Sequence, residues 1–132
     1  TLLQCAAYPG MRFPIYAGAT GKILLAFAPD DIREKVINDN KVQVAPNTII
    51  DEQRLREEVA KIRRDGYAFS TKELQNQTSG VSVPILTANG ELIAQFGIAG
   101  PAADFENKFE SMLEEVQKAA KAFSDALNAR TA

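Results

Sequence analysis

Residues 81–99, VSVPILTANGELIAQFGIA, decide how this chain folds. Branched and aromatic residues alternate with smaller ones on either side of Asn89-Gly90. That dipeptide accepts the positive φ angles of a two-residue type I′ turn, so the segment reads as a β-hairpin. Placing Ala88 opposite Glu91 brings Ile85 to Ala94, Val83 to Phe96 and Val81 to Ile98, a bulky apolar face suited to packing against helices. The reverse face pairs Ser82 with Gly97 and Gly80 with Ala99, and also carries Pro84, Gln95, Leu86 and Ile93. Small residues therefore gather at one end of one face, where close packing demands that another element or a ligand fill the space. Pro84 has no N–H to donate, which implies an edge strand or a bulge nearby.

Beyond the hairpin, Gly100-Pro101 breaks the chain. Phe105, Phe109, Met112, Val116, Ala120, Phe123 and Leu127 then recur at three- and four-residue spacing, the stripe of one long C-terminal helix with Asp104 capping its first turn. Upstream, Tyr67–Ser70 reads as a strand directly after a helix that Asp51 caps and Gly66 stops, with Leu55, Val59 and Ile62 on its inner face. A shorter helix follows Ala28-Pro29, with proline at the first helical position and Asp30 and Asp31 at the positive dipole end. Its inner face is expected to be Ile32, Val36 and Ile37. Gly21–Phe27 reads as a short, mostly buried helix, and Thr1–Ala7 is apolar enough for another strand. Helices flanking a largely antiparallel sheet make an α+β layered domain.

Composition narrows the function classes. The 132 residues suit one domain, and 45% hydrophobic with 24% charged residues is too apolar for a disordered chain. Cys5 is the only cysteine, which excludes a disulfide scaffold. No stretch is long and apolar enough to cross a bilayer, and no signal segment opens the chain. Fifteen basic residues against seventeen acidic leave a net charge of −2, which argues against phosphate-backbone binding through this chain. Histidine is absent, which removes the commonest general base, the commonest transition-metal ligand and every Ser-His or Cys-His pair. The remaining charges fall in blocks. Residues 1–29 carry only Arg12 and Lys22, and residues 74–103 only Glu91, so these two stretches should be buried or line a pocket.

Three features could hold chemistry. Tyr16-Ala17-Gly18-Ala19-Thr20-Gly21-Lys22 enters a helix with small residues, leaving backbone N–H groups open to an anion. It is not a phosphate loop, because Tyr16 stands where glycine is needed and Ile23 where serine or threonine is needed. Close helix packing with a snorkelling Lys22 explains the same pattern, and Thr20 could cap the helix or bond a ligand. The polar run Glu73–Gly80 could close over a ligand or lie solvated at the surface. Cys5 reads as an inert buried thiol without a histidine to activate it. The pairs Glu57-Glu58 and Arg63-Arg64 read as a solvated helix face, and Asp30-Asp31 suits capping better than acid/base work.

Gly10-Met11-Arg12-Phe13-Pro14-Ile15-Tyr16-Ala17 followed by Gly21-Lys22-Ile23-Leu24-Leu25-Ala26 resembles the G-x-R-x-P-x-x-A … G-K-x-L-L-A signature of IclR-type transcriptional regulators. The likeness continues through Thr48-Ile49-Ile50-Asp51, Ile62-Arg63, Gly66-Tyr67-Ala68, Gly80–Pro84 and Ile98-Ala99-Gly100-Pro101, nearly the whole chain in order. The resemblance implies a GAF-like C-terminal effector-binding domain spanning residues 1–132, an antiparallel sheet flanked by helices, cytoplasmic and without membrane contact. It also implies that the family's first elements lie upstream of Thr1. The winged helix-turn-helix that meets operator DNA is absent from this chain, and the domain senses a small organic acid while assembling dimers or tetramers.

By alignment with the family, the effector pocket falls on Cys5, Phe13, Ala19, Thr20, Ser70, Thr78, Gly80, Gly97 and Ala99. Relatives that bind very small oxo-acids tend to carry acidic, thiol or hydroxyl groups where this chain has Ser70, Gly80, Gly97 and Ala99. The resulting expectation is a larger, flatter effector such as an aromatic carboxylate, packed on Phe13 with its charge toward Thr20-Gly21. The expected chemistry is sensing rather than catalysis, with no catalytic residue, no cofactor and, lacking histidine, no metal site. The competing expectations are an oligomerisation module with a closed pocket, and an enzyme confined to Lys, Asp, Glu, Ser or Cys chemistry.

Overall fold

The computed structural model describes residues 8–131. Its elements run α1 (Ala19–Ala26), α2 (Asp30–Asn38), α3 (Glu52–Asp65), β1 (Ala68–Thr71), β2 (Thr78–Leu86), β3 (Leu92–Pro101), α4 (Ala102–Phe105) and α5 (Phe109–Thr131). The expected strand at Thr1–Ala7 lies outside the described residues. The strands form an antiparallel sheet in the order β1-β2-β3, with helices on both faces, so the chain is α+β.

The register expected for the hairpin holds along most of its length. Ile85 faces Ala94, Val83 faces Phe96, Val81 faces Ile98, Ser82 faces Gly97 and Gly80 faces Ala99. Near the turn it differs. Thr87 donates its N–H to the Glu91 carbonyl (2.8 Å) and accepts from the Gly90 N–H (2.9 Å), closing a three-residue loop in place of the expected two-residue turn. Only Gly90 in that loop has positive φ (83°), as in a type I turn followed by a left-handed residue. The ladder then slips between Ile85 and Leu86, and Ile93 is the extra residue that restores the pairing. Pro84 sits beside this bulge and beyond the end of β1, which reaches only Ser82.

Each sheet face has its own core. On one, Val81, Val83, Ile85, Phe69 and Phe96 pack against Phe105, Phe109, Val116 and Ala120. On the other, Ala68 joins Ile23, Leu25 and Ala26 of α1, backed by Leu55, Val59 and Ile62 of α3 and Ile37 of α2. Ile98 was expected on the first core but stays 39% exposed, because β3 is the outer strand among the described residues. Ile32 was expected on the inner face of α2 but is exposed, leaving Val36 and Ile37 to make the contact.

Asp51 caps α3 by accepting from the Arg54 N–H (2.9 Å), and Gly66 ends it in the left-handed conformation (φ 77°). Pro29 lies at the N-cap of α2 instead of its first helical position. The C-terminal stripe is not one helix. Phe105 ends the single turn α4, and Asn107, at φ 63°, breaks the chain before α5 begins at Phe109, so Asp104 caps nothing. The break lets Phe105 and Phe109 approach Phe69 from two directions, with ring centroids 6.3 and 4.8 Å away.

Candidate functional site

The small-residue face of the hairpin has α1 across from it. A Cβ built on Gly80 would meet the Ile98 carbonyl oxygen at 3.4 Å, Ala19 Cβ at 3.7 Å and Ala99 Cβ at 3.8 Å, so α1 and β3 approach this point to within contact of a single methyl group. A cavity of about 840 Å³ remains between α1, the strands and the incoming segment Met11–Ile15. That volume lies within the range of small-molecule sites.

The structure brings Phe13, Ala19, Thr20, Ser70, Thr78, Gly80, Gly97 and Ala99 to this one cavity, while Cys5 lies outside the described residues. Ser70, Gly80 and Ser82 form a buried floor, and Arg12, Phe13, Thr20, Gly97 and Ala99 are exposed at its rim. The Ser82 hydroxyl bonds Gln95 Oε1 (2.6 Å), and the Gln95 side chain in turn donates to the Thr20 carbonyl (3.3 Å), tying β3 to α1. The Ser70 hydroxyl has no hydrogen-bond partner among the described residues.

The start of α1 lies at the cavity wall because of two close approaches. Gly18, at φ 86°, is the N-cap, and no side chain caps the helix, so Thr20 does not take the capping role. Gly21 presses on the preceding chain so closely that a Cβ there would lie 2.7 Å from the Ile15 carbonyl oxygen. The close packing expected of the glycine-rich segment is seen at Gly21, and Ala19–Gly21 lines the cavity.

Lys22 does not snorkel. It is 1% exposed and turns away from the cavity, donating from Nζ to Glu58 Oε1 (2.9 Å), Glu73 Oε2 (2.9 Å) and the Phe69 carbonyl (2.8 Å). Burial pushes the Glu73 carboxyl above the ordinary range; the Lys22 charge and the Gly18 N–H oppose that rise only in part. The polar run Glu73–Gly80 is accordingly anchored at its first residue. The Thr48 hydroxyl holds the Glu73 carbonyl (2.6 Å), and Leu74 packs on Gly18, while Gln75 and Thr78 reach the cavity.

Arg12 is a lining residue that composition pointed to and site reasoning passed over. It is the one charged side chain among the residues lining the cavity. Its signal was already in the sequence, as one of only two charges in residues 1–29. A smaller cleft, about 400 Å³, lies on the opposite face between Phe69 and Phe105; there the Ser79 and Thr71 hydroxyls already bond each other (2.9 Å). Among the described residues no helix is long and apolar enough to cross a membrane, and no group of His, Cys, Asp and Glu could hold a metal ion.

Residues 1–125 match the family model for the C-terminal domain of the bacterial transcriptional regulator IclR. The chain is 33% identical over 113 residues to the HTH-type transcriptional regulator KipR of Bacillus subtilis (strain 168), covering 84% of this chain and 45% of that protein. Its fold is similar to an IclR homologue of Microbacterium hydrocarbonoxydans crystallised with 4-hydroxybenzoate, at a TM-score of 0.86 and 30% identity over 97% of this chain and 51% of that one. A double mutant of the inducer-binding domain of the PobR transcription factor from Acinetobacter, in complex with 3-hydroxybenzoic acid, gives 0.76 and 25% over 87% and 67%. The chain spans less than half the length of the curated relatives it matches.

Proposed function

The chain belongs to the IclR family of bacterial transcriptional regulators, as a C-terminal domain, and from that premise we propose that it is the sensor of a small aromatic carboxylate. The observation that carries the reading is the cavity between α1 and the sheet, which brings together the residues that align with the family's effector pocket. Two further points support an aromatic guest. The floor carries Gly80, whose missing side chain leaves the strand backbone open to a flat guest, and the two structural relatives named above hold hydroxybenzoates. Phe13 at the rim offers a face for an aromatic ring.

Binding acts by population shift. An effector that prefers one arrangement of a dimer or tetramer biases that assembly, and with it the winged helix-turn-helix heads that meet operator DNA. Lys22, the lysine an enzyme reading would call on, is buried between two carboxylates and faces away from the cavity, which favours sensing.

A thermal-shift titration with benzoate and 4-hydroxybenzoate beside glyoxylate and pyruvate tests this. Ligand at about a hundred times its dissociation constant adds about 2.7 kcal/mol, which raises the midpoint by about 10 °C in a domain of this size. Stabilisation by the aromatic acids is expected, and it should disappear in Gly80→Leu, which fills the floor. A shift with the oxo-acids alone overturns the aromatic reading, and a folded chain that responds to none favours an oligomerisation module. Gly97→Leu is a poorer probe, because a Cβ there meets the Val81 carbonyl oxygen at 3.0 Å.

A further inference from the structure

We propose that Arg12 receives the effector's carboxylate at the rim of the cavity, so that the acid binds with its charge outward and its ring over the small-residue floor. This rests on the effector reading above and reverses the orientation expected from the helix start.

Among the described residues Arg12 is the only charged one lining the cavity, whose other lining groups are apolar side chains, hydroxyls, amides and backbone. It is exposed and has no hydrogen-bond or ion-pair partner among the described residues. Residues 1–7 contain no acidic side chain, so they supply no counter-ion either. A guanidinium suits a planar carboxylate, which it can grip through two parallel N–H···O bonds.

The only cation of α1 is already paired on the far side of the helix. Lys22, the nearest cation in sequence, is held between Glu73 and Glu58, two carboxylates to one ammonium. Behind the start of α1, therefore, two carboxylates meet one ammonium, and Lys22 offers the cavity no charge. Ser70 lines the same cavity, and its hydroxyl, without a hydrogen-bond partner among the described residues, suits a neutral polar substituent on the ring.

Isothermal titration of 4-hydroxybenzoate and its neutral isostere 4-hydroxybenzamide into the wild-type chain, Arg12→Gln and Arg12→Lys separates the possibilities. The wild type is expected to prefer the acid by about tenfold, a preference that weakens as salt rises. Arg12→Gln should bring acid and amide within about twofold of each other, with the acid losing far more affinity than the amide. Arg12→Lys should recover part of the preference. If Arg12→Gln keeps the wild-type preference for the acid, the assignment to Arg12 is wrong and the aromatic-effector reading survives. If the folded wild type binds the amide as well as the acid, no cation reads the charge and the assignment also fails. If it binds neither compound, the hydroxybenzoate reading falls and takes this inference with it.

Discussion

Lys22 carries an ammonium into the interior and finds three acceptors there, yet Glu73 Oε1 is left buried without a hydrogen-bond partner among the described residues. A buried carboxylate in that state is costly when ionised. Because the folded-state pKa of Glu73 is raised, the native state holds its proton more tightly than the unfolded chain does. The sign follows directly: this residue's contribution to stability falls as pH rises from the ordinary value near 4.5 through the raised one, and it recovers as pH falls. Urea unfolding of wild type and Glu73→Gln between about pH 4 and pH 7 should show the wild type losing ground to the variant as pH rises. A gap that is constant with pH would mean that Glu73 titrates alike in both states. None of this was legible in the sequence, where Lys22 looked like a snorkelling residue. Glu58 and Glu73 lie 36 and 51 positions away, and only folding brings them to it.

At the scale of elements, α1 is placed by contact rather than by amphipathic pattern. Its buried residues include a lysine, and its seat against the Met11–Ile15 segment depends on the missing side chain of Gly21. Gly21→Ala puts a methyl 2.7 Å from the Ile15 carbonyl oxygen and should cost about 1–3 kcal/mol in chemical denaturation, with ligand affinity falling as the cavity wall shifts. An unchanged midpoint would show that the helix can slide to make room. Helix α3 is the opposite case. Asp51, the Leu55–Val59–Ile62 face and Gly66 are local signals, and each does in the structure what its position foretold. The C-terminal stripe misled at one point, because apolar spacing persists through the break at Asn107 and conceals that Phe105 belongs to a separate turn.

For the whole molecule, β2 is the axis. It pairs with β1 on one side and β3 on the other, and its two faces meet α1 and α5. The cavity opens instead toward β3, where Gly97, Ile98 and Ala99 are exposed. Hydrogen exchange should therefore protect the β2 amides of residues 79–83 longest and release those of Ile93–Ala99 earlier, with an aromatic acid slowing exchange along β3 and the start of α1. Equal protection of β2 and β3 would indicate that β3 is covered as completely as its neighbour.

Alternation and turn chemistry within residues 80–99 determined the hairpin, its two faces and nearly all its register, because a strand's side chains have a fixed period of two. The same pattern foretold that small residues would collect at one end, and the nearly uncharged stretches became the cavity walls. Tertiary structure alone decided what stands opposite that face, how much space remains, and where charge lies around it. The Lys22 cluster is a juxtaposition across many residues of chain, and no local pattern encodes which carboxylates meet which cation.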